Sequence, residues 1–366
     1  MSVKCEGGMI TELQSTNLII DINTRVLVTG SRGFIGKWVV AKLLEHGFTQ
    51  IRCLVRPSLK KTTSGIFPGA GEEDPRIELV EGNLLSHEDC HKISKNVHII
   101  YHLAAGRGDK SFPSAYLNSV VTTRNLIESS VQYGCLIRFV NVSSFTVYTN
   151  RNKPNPLLLD ETCPIEKYPA QRGDAYCFAK VKQEEIVFDY CKKYHLPYVN
   201  IRPGVVYGPG NEQLHGRVGI GTFGLFLHLG GSNKIPLTYV ENCAEAIVLA
   251  GILRQADMQT YNVVDDELPT SRRFLSLYKK KVRRFRSLYI PHSISFFLCY
   301  LWEKYSAWSH GQLPNTFNRR DWHVSWKKTD YSNDKIKQQL GWVQQIPTDE
   351  GLNRYFQSCQ ERNRYA

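Results

Sequence analysis

The sequence predicts an α/β fold, a doubly wound parallel sheet with a smaller C-terminal lobe, on three observations. Short apolar runs alternate with helix-length segments up to about residue 204. The runs are nearly continuous rather than alternating in polarity, as strands become when helices cover both faces of a sheet. A glycine-rich loop joins the first run to an amphipathic helix.

Taken in order, Arg25–Val28, Ile51–Val55, Ile77–Val80, Val97–Ile100, Ile137–Val140 and Tyr198–Ile201 read as strands. The first helix places Ile35, Val39 and Leu43 on one face, with Val40 and Leu44 beside them, and Gly47 marks its stop. Three regions follow: an N-terminal extension over 1–23, a sheet domain over 24–204, and a lobe over 205–366 that returns some elements to the core. The apolar and aromatic run Leu288–Trp302 is too short to span a membrane, and Pro291 and His292 interrupt it. A core helix is its default reading, and a shallow peripheral membrane contact is the alternative.

Composition narrows the class. With 366 residues, 42% hydrophobic and 22% charged, the chain fits a folded enzyme better than a disordered scaffold. Ten cysteines are scattered without a C-x-x-C pair, so no metal site is expected and a reducing, cytoplasmic compartment is. Met1–Glu6 has no apolar core ahead of a cleavage site, so no secretory leader is expected. The formal charge of +12 owes much to Arg272–Arg286, which holds eight cations and no acid. That run reads as a solvated helical face near an anionic ligand or surface. No nucleic-acid recognition motif accompanies it, so nucleic acid is not an expected partner.

The loop Thr29-Gly30-Ser31-Arg32-Gly33-Phe34-Ile35-Gly36 carries the first chemistry. Gly30 permits a tight turn, Gly33 lets the backbone approach a pyrophosphate, and Gly36 lets the helix pack closely on the sheet. The helix N-terminus then offers unpaired N–H groups to phosphate oxygens. Together these make the sheet Rossmann-like, with a dinucleotide at its edge. The second strand ends in Arg56 where an acid would hold a ribose 2′-hydroxyl, so Arg56, helped by Arg32, points to NADP; NAD stays open.

The second chemistry lies in Ser144, after the fifth strand, and in Tyr176 and Lys180, four apart on one helical face. A tyrosine with a pKa of about 10 is a poor acid–base group near neutrality until a neighbouring ammonium lowers it. Lys180 supplies that field and Ser144 orients a substrate oxygen, the parts needed to protonate or deprotonate a carbinol.

The whole pattern resembles the extended short-chain dehydrogenase/reductases, the NAD-dependent epimerase/dehydratase group, over roughly residues 24–355. The resemblance rests on the glycine loop, His102-Leu103-Ala104-Ala105, Ser144, Tyr176–Lys180, Arg202–Pro209, Tyr239–Ala246, Leu340-Gly341-Trp342 and Glu350-Gly351-Leu352. It implies that Leu103, Ala104 and Ala105 line the cofactor, that Pro203 and Gly204 abut the nicotinamide, and that Asn83 and Leu84 meet the adenine. Asn83 stands where the family has Asp, and its amide carbonyl can still accept from the adenine amine. It also implies a homodimer paired through the Tyr–Lys helix and a substrate-binding role for the C-terminal lobe. Phe145 and Thr146 replace the acid pair of 4,6-dehydratases, which argues against dehydration. Lys234–Thr238 and Asp265–Pro269 look more like the 3β-hydroxysteroid dehydrogenase branch.

Three functions remain in play. The first is hydride transfer to or from a secondary alcohol or ketone, the small-molecule substrate being sterol-like or a nucleotide sugar. The second is a nucleotide-sugar 4-epimerase with retained NAD, and the third a non-catalytic NAD(P)-sensing protein.

Overall fold

The computed structural model describes residues 17–56, 65–71, 73–106, 111–150, 157–212, 214–222, 224–310, 312–313 and 317–365. Seven parallel strands form the main sheet: β1 (Val26–Thr29), β2 (Ile51–Val55), β3 (Ile77–Glu81), β4 (Ile99–His102), β5 (Arg138–Val142), β6 (Tyr198–Pro203) and β7 (Gln259–Val263). Their order across the sheet is β7-β6-β5-β4-β1-β2-β3. The topology reverses between β1 and β4, where doubly wound folds open a crevice for ligands.

The six strands read from sequence are all present, displaced by at most two residues at their ends. The seventh is an addition: β7 pairs in parallel with β6, Gln259 opposite Val199 through Val263 opposite Pro203.

The helices that matter for the site are α1 (Gly36–Glu45), α2 (His87–Ser94), α3 (Thr122–Val131), α4 (Ala175–Lys193) and α5 (Val240–Ile252). One core cluster packs α1 and α5 on the sheet through Val39, Leu43, Ile247 and Val248 against Val28, Ile99 and Val140. On the other face Ile93, Leu126 and Val187, from α2, α3 and α4, cover Leu27, Ile100 and Phe139. Burial on both faces explains why the strand runs are so uniformly apolar. Helix α1 stops as its sequence requires, with Gly47 at φ +83. Of the expected N-terminal extension, residues 1–16 lie outside the described residues. Leu18, Ile19 and Ile20 pack against the core, and the Ile19 amide donates to Ile252 O at 2.9 Å.

Three small sheets accompany the main one: Val205–Tyr207 with Leu237–Tyr239, Gly219–Thr222 with Leu225–His228 and Ser287–Tyr289, and Leu157–Leu159, which precedes α4 in the chain, with Thr329–Tyr331. Around them lie α6 (Ser271–Lys281), α7 (His292–Trp308) and α8 (Arg319–Trp326). The structure corrects the core-helix reading of Leu288–Trp302. Its first residues belong to an edge strand, and of the α7 residues only Ser295, Cys299 and Ser306 are buried. Most of the large apolar side chains of α7 face outward, while Ser295, Cys299 and Ser306 take the buried side and Phe296 packs beside them against Trp322.

Candidate functional site

The glycine loop forms a cradle at the C-terminal end of β1. Gly30 has φ +68, and a Cβ there would lie 2.9 Å from Ala104 N. Gly33 N donates to Gly30 O at 2.9 Å, closing the turn. At Gly36, the first residue of α1, a Cβ would lie 2.1 Å from Gly30 O. Ser31 Oγ donates to Leu54 O at 3.1 Å and ties the loop to β2. The cradle therefore exists only with glycine at its contact points, and it aims the N-terminus of α1 at the space above β1 and β4. That geometry fits a dinucleotide pyrophosphate. Phe34 and Ile35 lie half-buried between cradle and helix.

The residues expected around the rest of a dinucleotide divide. Leu103, Ala104 and Ala105 follow β4 half-buried, with Ala104 N donating to Thr29 Oγ1 at 3.3 Å. Pro203 ends β6, and Gly204 follows with no room for a side chain, since a Cβ would meet Pro236 O at 2.2 Å. Arg56 is exposed just beyond β2, and Arg32 is half-buried in the loop. Asn83 is exposed, but its Oδ1 already accepts from Leu85 N at 3.0 Å, so one lone pair is left for a ligand. Leu84 packs its side chain among Leu54, Val80 and Cys90, and its carbonyl oxygen already accepts from Asn125 Nδ2 at 3.1 Å.

The Ser–Tyr–Lys arrangement is assembled by two backbone carbonyls. Ser144 leads out of β5 into a short turn, its Oγ accepting from Thr146 N at 3.2 Å. Asp174 caps α4 by accepting from Tyr176 N at 2.9 Å, so Tyr176 lies in the first turn of the helix. Cys177 Sγ donates to Thr146 O at 3.2 Å, and one turn on Lys180 Nζ donates to Val142 O at 2.7 Å. The start of α4 is thereby held against the turn that carries Ser144.

Lys180 is buried, and burial pushes its pKa down to about 8, against the opposing pull of Glu184. Its second partner is Gln183 Oε1 at 2.8 Å. From Gln183 a buried chain of polar groups runs back to β1. Gln183 Nε2 donates to Thr123 Oγ1 at 2.9 Å, and Thr123 donates to Ser119 O at 2.5 Å. The hydroxyl proton of Thr123 being spent, its 2.8 Å contact with His102 Nε2 makes that nitrogen the donor. His102 Nδ1 then accepts from Thr29 Oγ1 at 2.9 Å. Burial, with the Lys180 charge adding to it, drives the His102 pKa down to about 3, so the ring is neutral.

Beside this chain Arg202 clamps Glu184 through Nε at 2.9 Å and Nη2 at 2.6 Å, and donates to Tyr148 Oη at 2.9 Å. Removing one partner of such a buried pair typically costs about 3–5 kcal/mol. The clamp fixes α4 to β6. Gln183, Thr123 and Thr29 escaped the sequence reading because polar residues on helices and strand ends carry no spacing signature. His102 stood in a recognised motif and could have been singled out.

Nine described cysteines are all free, and eight of them are buried. Among the described residues no group of three His, Cys, Asp or Glu side chains is placed to hold a metal ion, and no helix is long and apolar enough to cross a membrane.

Against known proteins, the model of the NAD dependent epimerase/dehydratase family matches residues 26–263. The 3beta-hydroxysteroid-dehydrogenase/decarboxylase isoform 1 of Arabidopsis thaliana is 25% identical over 355 residues, covering 91% of this chain and 79% of that protein. Cinnamoyl-CoA reductase 1 of Oryza sativa is 29% identical over 190 residues, 51% of this chain and 55% of that protein. The crystal structure of UDP-glucuronic acid 4-epimerase from Bacillus cereus in complex with NAD superposes with a TM-score of 0.65 at 19% identity, over 92% of this chain and 99% of that one. At that identity the likeness speaks for the fold.

Proposed function

Because the chain belongs to the NAD dependent epimerase/dehydratase family, we propose that it is an NADP-dependent oxidoreductase acting on a secondary alcohol or ketone carbon, with Tyr176 as the acid–base group. The observation that carries this reading is the buried ammonium of Lys180, pinned by Val142 O and Gln183 one helical turn from Tyr176. A nicotinamide cofactor supplies the hydride acceptor or donor when bound. The chain's own residues do the rest. The cradle of Gly30, Gly33 and Gly36 holds the pyrophosphate, and Leu103, Ala104, Ala105 and Pro203 flank the remainder. Ser144 orients the substrate oxygen. Tyr176 gives that oxygen a proton, or takes one from it, and the Lys180 charge eases the exchange. The substrate is a small molecule, sterol-like or a nucleotide sugar, and two copies of the chain pair through α4.

The second reading, a nucleotide-sugar 4-epimerase with retained NAD, uses the same proton chemistry. Arg56 favours the first, because a cation exposed beyond β2 suits a 2′-phosphate better than a 2′-hydroxyl. Denaturing freshly purified protein and identifying any released nicotinamide by mass spectrometry separates the two. Stoichiometric NAD supports the epimerase; empty protein that binds NADPH more tightly than NADH supports the reductase. In the latter case Arg56→Glu should weaken NADPH about 10–100-fold and leave NADH within about twofold, as titrated by quenching of tryptophan fluorescence. Equal weakening of both cofactors would remove Arg56 from 2′-phosphate recognition.

The pH dependence follows from Lys180. Its ammonium is the working form, and it deprotonates near pH 8 in the free protein. The value of kcat/KM for reduction should therefore be flat below pH 8 and fall about tenfold per unit above it. Lys180→Met should lower the plateau and abolish the break; a break that survives the substitution belongs to another group.

A further inference from the structure

Helix α7 is built inside out. Ile294, Phe297, Leu298, Leu301, Tyr305 and Trp308 recur at three- and four-residue intervals on one face, and they are between 46% and 73% exposed. The opposite face carries Ser295, Cys299 and Ser306, all buried. Ser295 Oγ accepts from Trp322 Nε1 of α8 at 2.9 Å, and Phe296 packs edge-on against the Trp322 ring at 5.0 Å. The helix is thus fastened to the protein by its small residues and by Phe296, and it presents the six large residues of the stripe outward, over about 20 Å of helix length. With Leu288, 53% exposed on the adjoining edge strand, the stripe amounts to about 600 Å² of exposed side chain, at or beyond the largest patch expected of a soluble monomer.

The surroundings of the stripe are basic. From Leu268 to Trp302 the chain contains eight Lys and Arg and no Asp or Glu. Arg272, Lys280, Arg283, Arg284 and Arg286 are exposed, and among the described residues none of the five has a carboxylate within 4.0 Å. Arg272 instead lies over the Tyr289 ring at 5.5 Å, and Arg283 over Phe285 at 5.9 Å, which places uncompensated charge beside the strand that leads into α7. The acid of α7 itself, Glu303, is held by Arg319 at 2.8 Å.

We propose that this face, α7 with the strand Ser287–Tyr289 and its flanking arginines, docks on the surface of an anionic lipid bilayer. The aromatic and aliphatic stripe enters the headgroup–acyl boundary lengthwise, and the arginines meet the lipid phosphates and carboxylates. Tyr305 and Trp308 are the side chains that such a boundary retains, with an apolar body and a polar handle. A second copy of the chain is the poorer occupant. Two-fold pairing through this face would set two basic clusters against each other as water left the contact, whereas an anionic surface answers both the charge and the apolar area. The proposal stands independently of the cofactor chemistry.

The test is co-sedimentation of the full chain with phosphatidylcholine vesicles made with and without phosphatidylserine. The protein should pellet with the phosphatidylserine vesicles and be released by high salt. Phe297→Ser combined with Trp308→Ser should weaken this at least about tenfold, with the thermal unfolding midpoint unchanged, since both side chains are exposed. Arg283→Gln with Arg284→Gln and Arg286→Gln should erase the preference for phosphatidylserine. No pelleting with either vesicle, or pelleting indifferent to phosphatidylserine, overturns the proposal. So does a dimer, seen by light scattering without lipid, that Trp308→Ser dissociates.

Discussion

Tyr176→Phe is expected to cut turnover about 1,000-fold while leaving cofactor affinity within about twofold, the range seen when a positioned acid–base group is removed. The separation of effects comes from the local structure. What caps α4 is the Tyr176 backbone amide, received by Asp174 Oδ1 at 2.9 Å, and phenylalanine keeps it. Lys180 keeps both carbonyl partners, Val142 O and Gln183 Oε1, because neither involves the Tyr176 hydroxyl. The variant should therefore fold, bind nicotinamide and fail only at proton transfer. Cofactor titration and nicotinamide absorbance with whichever alcohol or ketone the wild type accepts would check it. Unchanged turnover would take Tyr176 out of the mechanism. Lost cofactor binding would show the hydroxyl to be part of the cofactor site instead.

Gly36→Ala should be nearly as damaging, for a steric reason. The added methyl would lie 2.1 Å from the Gly30 carbonyl oxygen and 2.9 Å from Ser31 Cα, and both are backbone atoms of the cradle. Either α1 backs away from the sheet or the cradle opens, and both changes move the helix N-terminus from the phosphate position. Overpacking of this kind costs about 1–3 kcal/mol or more, and cofactor affinity should drop at least about 100-fold. Thermal unfolding with and without nicotinamide reads both losses: the wild type gains stability on adding cofactor, and the variant unfolds earlier and gains none. Gly33→Ala separates the two losses, because its methyl would meet only Gly30 O, at 3.0 Å, within the fold but would stand where the pyrophosphate approaches. Cofactor affinity should fall while the unfolding midpoint without cofactor moves much less than in Gly36→Ala. An equal drop in that midpoint at both positions would mean that the close packing at Gly36 is not the cause of its instability.

Much of the sheet was legible because β1, β2 and β4 to β6 are buried along their whole length and so read as apolar runs, while the edge strand β3 keeps enough apolar residues in Ile77, Leu79 and Val80. Strand β7 was not: Gln259-Thr260-Tyr261-Asn262-Val263 mixes polar and apolar residues, and it becomes a strand by pairing with β6. Ser144, Tyr176 and Lys180 could be picked out by residue type and spacing. The polar chain that joins Gln183, Thr123 and His102 could not be traced, although His102 stood in a recognised motif, because its members come from three separate elements and meet only in the folded protein. The outer stripe of α7 shows a different limit. Helical periodicity reveals that an apolar face exists, and it is silent on whether protein covers that face.

One turn ahead of α3, Leu117–Val121 is wound as a π-helix. Ala115, before it, packs with Ala175 and Ala179 of α4, while Thr123, after it, receives the Gln183 amide from the same helix. Eight residues of regular α-helix would leave those two positions about 80° apart around the axis. A π-turn absorbs the rotation of about one residue and brings them back to nearly the same side. The turn is thus a one-residue insertion with a mechanical purpose. A homologue lacking that residue would have to part either Ala115 or Thr123 from α4, so a one-residue deletion here would mark a chain in which the lysine is held some other way.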